Sequence, residues 1–273
     1  MTITVSIVLY HNDPTEIQEA VKSCLVSESV KKIYLIDNSA NNSLQSISDD
    51  SRIIYIHNRA NLGFGAAHNI ALRKILNNSD YHLVLNPDIT FSKGVIEALA
   101  TFMNEHPDVG LAMPKVLYRN GEVQRLCKLL PNPFQLFGRR FLGNTFFAKR
   151  LDRSYELHDY AYDRPLDVPN LSGCFMFVRT KLLTDIGFFD ERYFMYLEDI
   201  DLVRRIGQLS RTVVYPYVAV YHGYHQGSYH NRRLMLIHIR SAIKYFNKWG
   251  WFFDKERKHL NATIKARLKP DDK

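Results

Sequence analysis

Short apolar runs, each closed by a polar turn, recur through the first hundred residues of the chain and alternate with stretches of helical spacing. Residues 5–10 (VSIVLY) read as a first strand, and His11-Asn12-Asp13-Pro14-Thr15 supplies a loop with helix-start chemistry. Ile17, Ala20, Val21, Cys24 and Leu25 then fall on one helical face. A strand over 32–36 ends in Asp37-Asn38-Ser39, and another over 53–56 leads into a loop over 58–65 and a helix over 66–76. The apolar run 83–85 stops at Asn86-Pro87-Asp88, since proline cannot donate to a sheet ladder. Such alternation predicts an α/β fold with a parallel, Rossmann-like sheet. Its strand ends share one edge, so their polar residues converge on a crevice.

The second half is less regular. A helix over 93–105 and a strand-like segment over 110–117 precede residues 129–150, where Phe and Leu mix with Arg and Lys. That mixture suits either a segment at lipid-headgroup level or a lid packed on the body of the protein. Residues 171–179 read as a strand with a small-residue entry. Glu198-Asp199 precede a helical pattern over 200–206, where the helix dipole favours the ionised form. A carboxylate there could serve as a general base, though the segment taken alone favours helix capping by Asp199 or Asp201. A strand over 211–221 carries Pro216, a sign of an edge or an irregularity. His222, His225 and His230 follow on a Gly-containing loop that offers a metal ligand without zinc-site spacing. Residues 234–273 are helical in pattern and carry Trp249-Gly250-Trp251-Phe252-Phe253 among cations. That tail suits interfacial binding or a helix docked on the core.

Gly63-Phe64-Gly65 lacks the spacing of a dinucleotide fingerprint and follows the third strand, not the first. A turn feeding a helix either aims backbone N–H groups at a diphosphate or is simply tight.

Composition narrows the field. With 273 residues, 46% hydrophobic and 23% charged, the chain can bury one sizeable core plus an appendage. Its net charge of +8 favours an anionic partner: a nucleotide, a nucleic acid or an acidic membrane surface. No nucleic-acid motif accompanies the charge, so nucleic acid is not expected as a partner. Cys24, Cys127 and Cys174 are scattered, which fits a reducing compartment without a disulfide framework. The N-terminal residues alternate like a strand and lack a basic leader region, so no signal peptide is expected. No apolar run approaches the roughly 20 residues of a membrane helix, and a soluble or peripheral protein is expected.

Taken in order, residues 5–10, Asp37-Asn38-Ser39, Asn61-Leu-Gly-Phe-Gly-Ala-Ala67 with Asn69, Asn86-Pro87-Asp88, Phe189-Asp-Glu191, Tyr196-Leu-Glu-Asp-Ile-Asp-Leu202 and His222 carry a resemblance. The chain resembles the inverting, family 2 nucleotide-sugar glycosyltransferases of GT-A fold, and among them the bacterial rhamnosyltransferases of O-antigen and other surface polysaccharides. The likeness runs from residue 5 to about residue 228. It implies a mixed sheet flanked by helices with a C-terminal helical extension. The implied division is a glycosyltransferase domain over 1–230, with nucleotide-binding (1–118) and acceptor-binding (119–230) halves, and a basic aromatic extension over 231–273.

The resemblance also implies roles. Asp37 would receive the nucleobase, flanked by Tyr10 and His11. Asn61, Gly65, Asn69 and Asn86 would line the nucleotide-sugar pocket. Asp88, with His222, would hold Mg²⁺ or Mn²⁺ against the diphosphate. Asn86 stands where the family often has a first carboxylate, which leaves one fewer anionic ligand. Asp199 would be the general base and Glu198 would help to position it or the acceptor. The implied donor is dTDP-L-rhamnose, with UDP-sugars as the alternative, and the implied acceptor a polyprenyl-diphosphate-linked saccharide. The site of action would be the cytoplasmic face of the bacterial plasma membrane, reached through the C-terminal extension and residues 129–150. A sugar-phosphate nucleotidyltransferase would carry a basic, Gly-rich loop after its first strand, where this chain has Tyr10-His-Asn-Asp-Pro14. A non-catalytic binding module is the other rival.

Overall fold

The computed structural model describes residues 1–47, 49–76, 78–138, 153–223 and 232–268. Four apolar runs form the parallel strands β1 (Ile3–Leu9), β2 (Val30–Asp37), β3 (Ile53–His57) and β4 (Tyr81–Leu85), ordered β3-β2-β1-β4. Leu9 pairs beside Asp37 and Asp37 beside His57, so these strands finish at one edge, as the pattern predicts. Every residue of β4 is buried, which accounts for its unbroken apolar run. Helices α1 (Pro14–Leu25), α2 (Phe64–Ile75) and α3 (Val95–Glu105) complete this half. The Asp13 carboxylate caps α1 by accepting the Thr15 N–H at 2.8 Å, and α1 buries Ile17, Ala20, Val21 and Cys24.

The second half extends the same sheet. Its strands are β5 (Ile89–Thr90), β6 (Val109–Leu117), β7 (Cys127–Lys128), β8 (Leu166–Asp167), β9 (Asn170–Leu171), β10 (Phe175–Arg179) and β11 (Arg211–His222). The order continues β4-β10-β6-β11-β5, with β8 against β11 and a separate β7–β9 ribbon. Strand β10 runs antiparallel to both β4 and β6, so the sheet is mixed. Its first residue, Phe175, pairs with Leu85 at the end of β4. The start of β10 therefore lies at the edge where β1, β2 and β4 finish. The single strand expected over 171–179 is two short ones, split at Ser172-Gly173-Cys174. The register of β11 shifts between Tyr215 and Ala219, around Pro216, as that proline suggests.

Among the described residues the helices that follow are α4 (Leu182–Ile186), α5 (Glu198–Gly207), α6 (Arg232–Trp249) and α7 (Lys255–Arg267). Between α6 and α7 the chain turns at Gly250, whose φ of +100° suits glycine. The basic tail docks on α5. Ala242, Tyr245 and Phe246 of α6 pack with Leu130, Tyr193, Leu197 and Ile200 in a second apolar cluster beside the main core. Charge reinforces the dock. The Arg204 guanidinium donates to both Asp254 oxygens at 2.7 Å and to Glu256 at 2.6 Å, and stacks over the Trp249 ring at 4.1 Å. The fully buried Asp201 receives Arg205 at 2.9 Å, Lys248 at 2.6 Å and the Trp249 indole N–H at 2.8 Å. Among the described residues no helix is long and apolar enough to cross a membrane. Residues 139–152, 224–231 and 269–273 lie outside the described residues, and with them much of the expected interfacial segment, His225 and His230.

Arg204 and Asp254 are 2% and 3% exposed at their side chains, so removing Asp254 takes away the buried guanidinium's bidentate partner, leaves it Glu256 alone as an anion, and uncaps α7. Asp254→Ala should cost about 3–5 kcal/mol of stability, the usual penalty for breaking a buried pair. Urea denaturation measures it, and a loss below about 1 kcal/mol would show that the pair does not hold the tail.

Candidate active site

The shared edge assembles residues from both halves. On the nucleotide side, Asp37 ends β2 and is 0% exposed; its oxygens accept the Tyr55 hydroxyl at 2.5 Å and the Ser39 N–H at 2.8 Å. Burial together with this carboxylate raises the Tyr55 phenol pKa, so Tyr55 stays a donor. Asp37 is thus held from within the fold. Nearby at the strand end, Tyr10 is 50% exposed and the His11 ring meets it edge-on at 4.5 Å. His11 has φ +53° and its N–H donates to Ser39 Oγ at 3.0 Å, so the strand end is turned and held.

The loop from Asn61 is fastened to the other half. Asn61 Oδ1 accepts the Gly63 N–H at 2.9 Å and Asn38 Nδ2 at 3.3 Å. Gly63 has φ +88°, and a Cβ there would sit 2.1 Å from the Phe194 carbonyl oxygen. The next N–H, that of Phe64, donates to that same oxygen at 3.0 Å. Gly65, singled out from the sequence, serves packing: its Cβ would lie 2.8 Å from Phe189 Cβ. Asn69 is buried and spends its amide on Phe189 O, Phe189 N–H and Glu191, at 2.8–3.0 Å. Both Gly65 and Asn69 thereby position the loop that leads to Glu198-Asp199.

Asn86 is half-buried, and its N–H donates to the Cys174 carbonyl at 2.9 Å, joining β4's end to β10's start. Two residues later Asp88 meets His222 across the β5–β11 pairing, with Oδ1 3.3 Å from Nε2. Gln124, which the sequence reading missed, sets the imidazole. Its amide oxygen lies 2.9 Å from His222 Nδ1 while its amide nitrogen donates to the His222 carbonyl at 3.1 Å. The carbonyl contact orients the amide, so Nδ1 carries the proton and Nε2 turns its lone pair toward Asp88. Two acceptors facing each other at that distance need a proton or a cation between them. Carboxylate oxygen and neutral imidazole suit a divalent cation, and they are the residues that could hold one. Among the described residues no group of three His, Cys, Asp or Glu side chains converges as a metal site.

On the far side of Cys174 stands the carboxylate pair. Asp199 Oδ2 accepts the Gly173 N–H at 2.9 Å, and its Oδ1 accepts the Ile200 N–H at 2.8 Å. A Cβ on Gly173 would lie 3.1 Å from Asp199 Cβ, so the small residue permits this approach. Glu198 is 4% exposed, and its Oε2 has no hydrogen-bond partner among the described residues. Burial, then the Asp199 charge, pushes Glu198 up to about 8. Burial raises Asp199 as well, opposed by its two backbone N–H donors and by Lys128. The helix N-terminus was expected to keep both acids ionised; burial outweighs the dipole, and the N–H bonds leave Asp199 the more acidic. Nor does either cap the helix, whose Ncap is Leu197 without a side-chain cap. Tyr196 and Leu197 enter α5 with φ +72° and +66°, a strained approach that the Phe194 and α6 contacts hold. Burial also pushes the Cys174 thiol up to about 12, with Asp88 and Asp199 both adding to the shift. Both carboxylates thus reach the same short segment. A cation-holding pair on one side of it and a proton acceptor on the other can together stabilise a leaving anion and activate a hydroxyl.

Residues 5–187 match the family model for Glycosyl transferase family 2. The N-acetylglucosaminyl-diphospho-decaprenol L-rhamnosyltransferase of Mycobacterium tuberculosis is 27% identical over 211 residues, which cover 70% of this chain and 66% of that one. Rhamnosyltransferase WbbL of Escherichia coli K12 is 24% identical over 248 residues, 88% of this chain and 90% of its own. The crystal structure of GalNAc-T7 with UDP, GalNAc and Mn²⁺ aligns with a TM-score of 0.66 at 14% identity, over 98% of this chain and 51% of that one. At that identity the likeness is one of fold, and the fold is GT-A.

Glu198 supplies a pH signature. An unfolded Glu loses its proton near 4.5, whereas the folded one holds it to about 8. Between these values the fold binds more protons than the unfolded chain, so stability falls as pH rises through the window. Glu198→Gln should flatten that fall: the variant's melting temperature should gain on the parent's from pH 5 to pH 8. Parallel profiles would place the Glu198 proton elsewhere.

Proposed function

Because the chain belongs to glycosyl transferase family 2, we propose that it transfers a sugar with inversion from a nucleotide donor to a hydroxyl of a lipid-linked saccharide. The observation that carries this reading is that the Gly173 N–H bonds Asp199 while the neighbouring Cys174 carbonyl bonds Asn86, two residues before the Asp88 that meets His222, at the edge where the strands end. Asp199 takes the acceptor's proton as its oxygen attacks the anomeric carbon from the face opposite the departing diphosphate. Gly173 and Ile200 hold that carboxylate, and Glu198, keeping its proton, adds no second negative charge beside it. Asp88 and His222 would hold Mg²⁺ or Mn²⁺, which when bound supplies positive charge against the diphosphate. Tyr10 and His11 offer an aromatic rim to the nucleobase, with Asn61 and Asn86 further along the wall.

Two relatives whose names specify rhamnosyl transfer support dTDP-L-rhamnose as donor, and the mycobacterial name supports a polyprenyl-diphosphate-linked acceptor. Action at the inner face of a bacterial plasma membrane, in surface-polysaccharide assembly, fits such an acceptor. Its structural support is an aromatic patch beside the tail: Phe134, Phe252 and Phe253 are 68%, 62% and 98% exposed, with exposed Lys255 and Lys258 next to them.

Melting shifts with dTDP, UDP and GDP, each with and without Mn²⁺, test the donor site without needing an acceptor. At about 100 times its dissociation constant a nucleotide adds roughly 2.7 kcal/mol. A Mn²⁺-dependent dTDP shift is expected; a shift with UDP alone changes the donor, and none with any nucleotide sinks the reading. Asp199→Asn should keep that shift while losing about 10²–10⁴-fold in transfer, the usual worth of a general base. Near-normal turnover would remove Asp199 from the role. For the membrane, Phe252→Ser with Phe253→Ser should lower co-sedimentation with phosphatidylglycerol vesicles several-fold at unchanged melting temperature, and undiminished binding would exclude this patch.

A further inference from the structure

Helix α6 shows two faces. One carries Ala242, Tyr245 and Phe246 into the apolar cluster on α5. The other is a stripe at helical spacing, Arg233, Leu236, Ile237, Arg240 and Lys244, that lines a groove of about 380 Å³ with Phe194. The volume lies within the roughly 300–1,000 Å³ of small-ligand sites. Among the described residues its lining holds three cations and no carboxylate. Leu236 is 52% exposed in the middle of the stripe, and Arg240 is exposed too. Lys244 already donates to the Arg192 carbonyl, though an ammonium has three donors. The nearby Asp190 is neutralised by Arg192 and Lys248.

An apolar floor edged by guanidinium groups selects a ligand that is anionic at one point and hydrocarbon beyond it. The groove also belongs to the catalytic loop. Phe194 lines it and accepts the Phe64 N–H, while Ser241 of the same stripe donates to the Met195 carbonyl at 2.8 Å. Phe194 stands four residues before Glu198. The donor's diphosphate is assigned to Asp88–His222, neither of which lines this groove. We propose that this groove is a second anion site, which binds the isoprenoid diphosphate of the acceptor: Arg240 and Arg233 take the phosphates, and Leu236, Ile237 and Phe194 the first isoprene units. The proposal rests on the glycosyl-transfer reading for the identity of its ligand, but not for the existence of the site.

Farnesyl diphosphate is the probe, titrated calorimetrically against the full chain in the presence of saturating dTDP and Mn²⁺. Saturable binding of the probe is expected, at least tenfold weaker in Arg240→Glu and several-fold weaker in Arg240→Ala, with both variants keeping the parent's melting temperature and nucleotide shift. Inorganic diphosphate should bind more weakly than the probe by tenfold or more. Equal affinity in parent and Arg240→Glu, or displacement of the probe by dTDP with Mn²⁺, overturns the proposal. So does Arg240-dependent binding of phosphatidylglycerol vesicles without binding of the probe, which would make the stripe a headgroup contact. Loss of the nucleotide shift in the parent itself would sink the transferase reading while leaving the probe titration to decide the groove.

Discussion

Strand β10 enters the middle of the sheet antiparallel to its neighbours, and the site follows from that insertion. Parallel β1, β2 and β4 deliver their last residues to one edge, but alone they supply only the half that faces a nucleotide. By pairing Phe175 with Leu85, β10 brings its own beginning to that edge, and Gly173-Cys174 becomes the seam. Asn86 binds the seam on one side and Asp199 on the other. A helix-connected strand running parallel in that position would send the same residues to the opposite end of the sheet.

The second constraint is electrostatic. Helix α5 carries the base at its first turn and, further along, Asp201, Arg204 and Arg205, each bonded to a partner outside the helix or to the next turn. Arg204 reaches α7 through Asp254 and Glu256, while Asp201 reaches α6 through Lys248 and Trp249. Burying this many charges is tolerable only because they are paired and hydrogen-bonded in full. The result fixes α5 from behind, while the strained Tyr196-Leu197 entry fixes it from the front. The aspartate spacing in 196–202 thus does two jobs, with Asp199 turned to the seam and Asp201 to the tail.

The parallel half of the sheet was legible because buried parallel strands need unbroken apolar runs, and its boundaries shifted by only a residue or two, whereas β10 begins at Phe175, well inside the strand expected over 171–179. The carboxylates were legible as well, since a charge at a strand or helix end has few uses. What the sequence hid were relations across distance. Gln124 orients His222 from 98 residues away, and nothing local marks a glutamine for that work. The resemblance marked Gly65, but Gly63 bears the positive φ and the tightest contact, with a carbonyl 131 residues away. Asn69 was marked by the same resemblance as a pocket residue; nothing local shows that its amide holds a loop 120 residues on. Dipole reasoning at α5 failed for a related cause, because depth of burial is a tertiary property and it outweighed a local one.

The seam has a bearing on what counts as a unit of this protein. The family-model match stops at residue 187, yet several clasps close beyond it: Gly63 and Phe64 on Phe194, Asn69 on Phe189, Asp88 on His222, Gly173 on Asp199. The span that the family model matches and the span that folds together are therefore not the same length. A boundary drawn where the likeness ends would leave a donor-side half whose buried amides and loop glycines have lost their counterparts. The two halves, and the tail behind them, are held as one packed body.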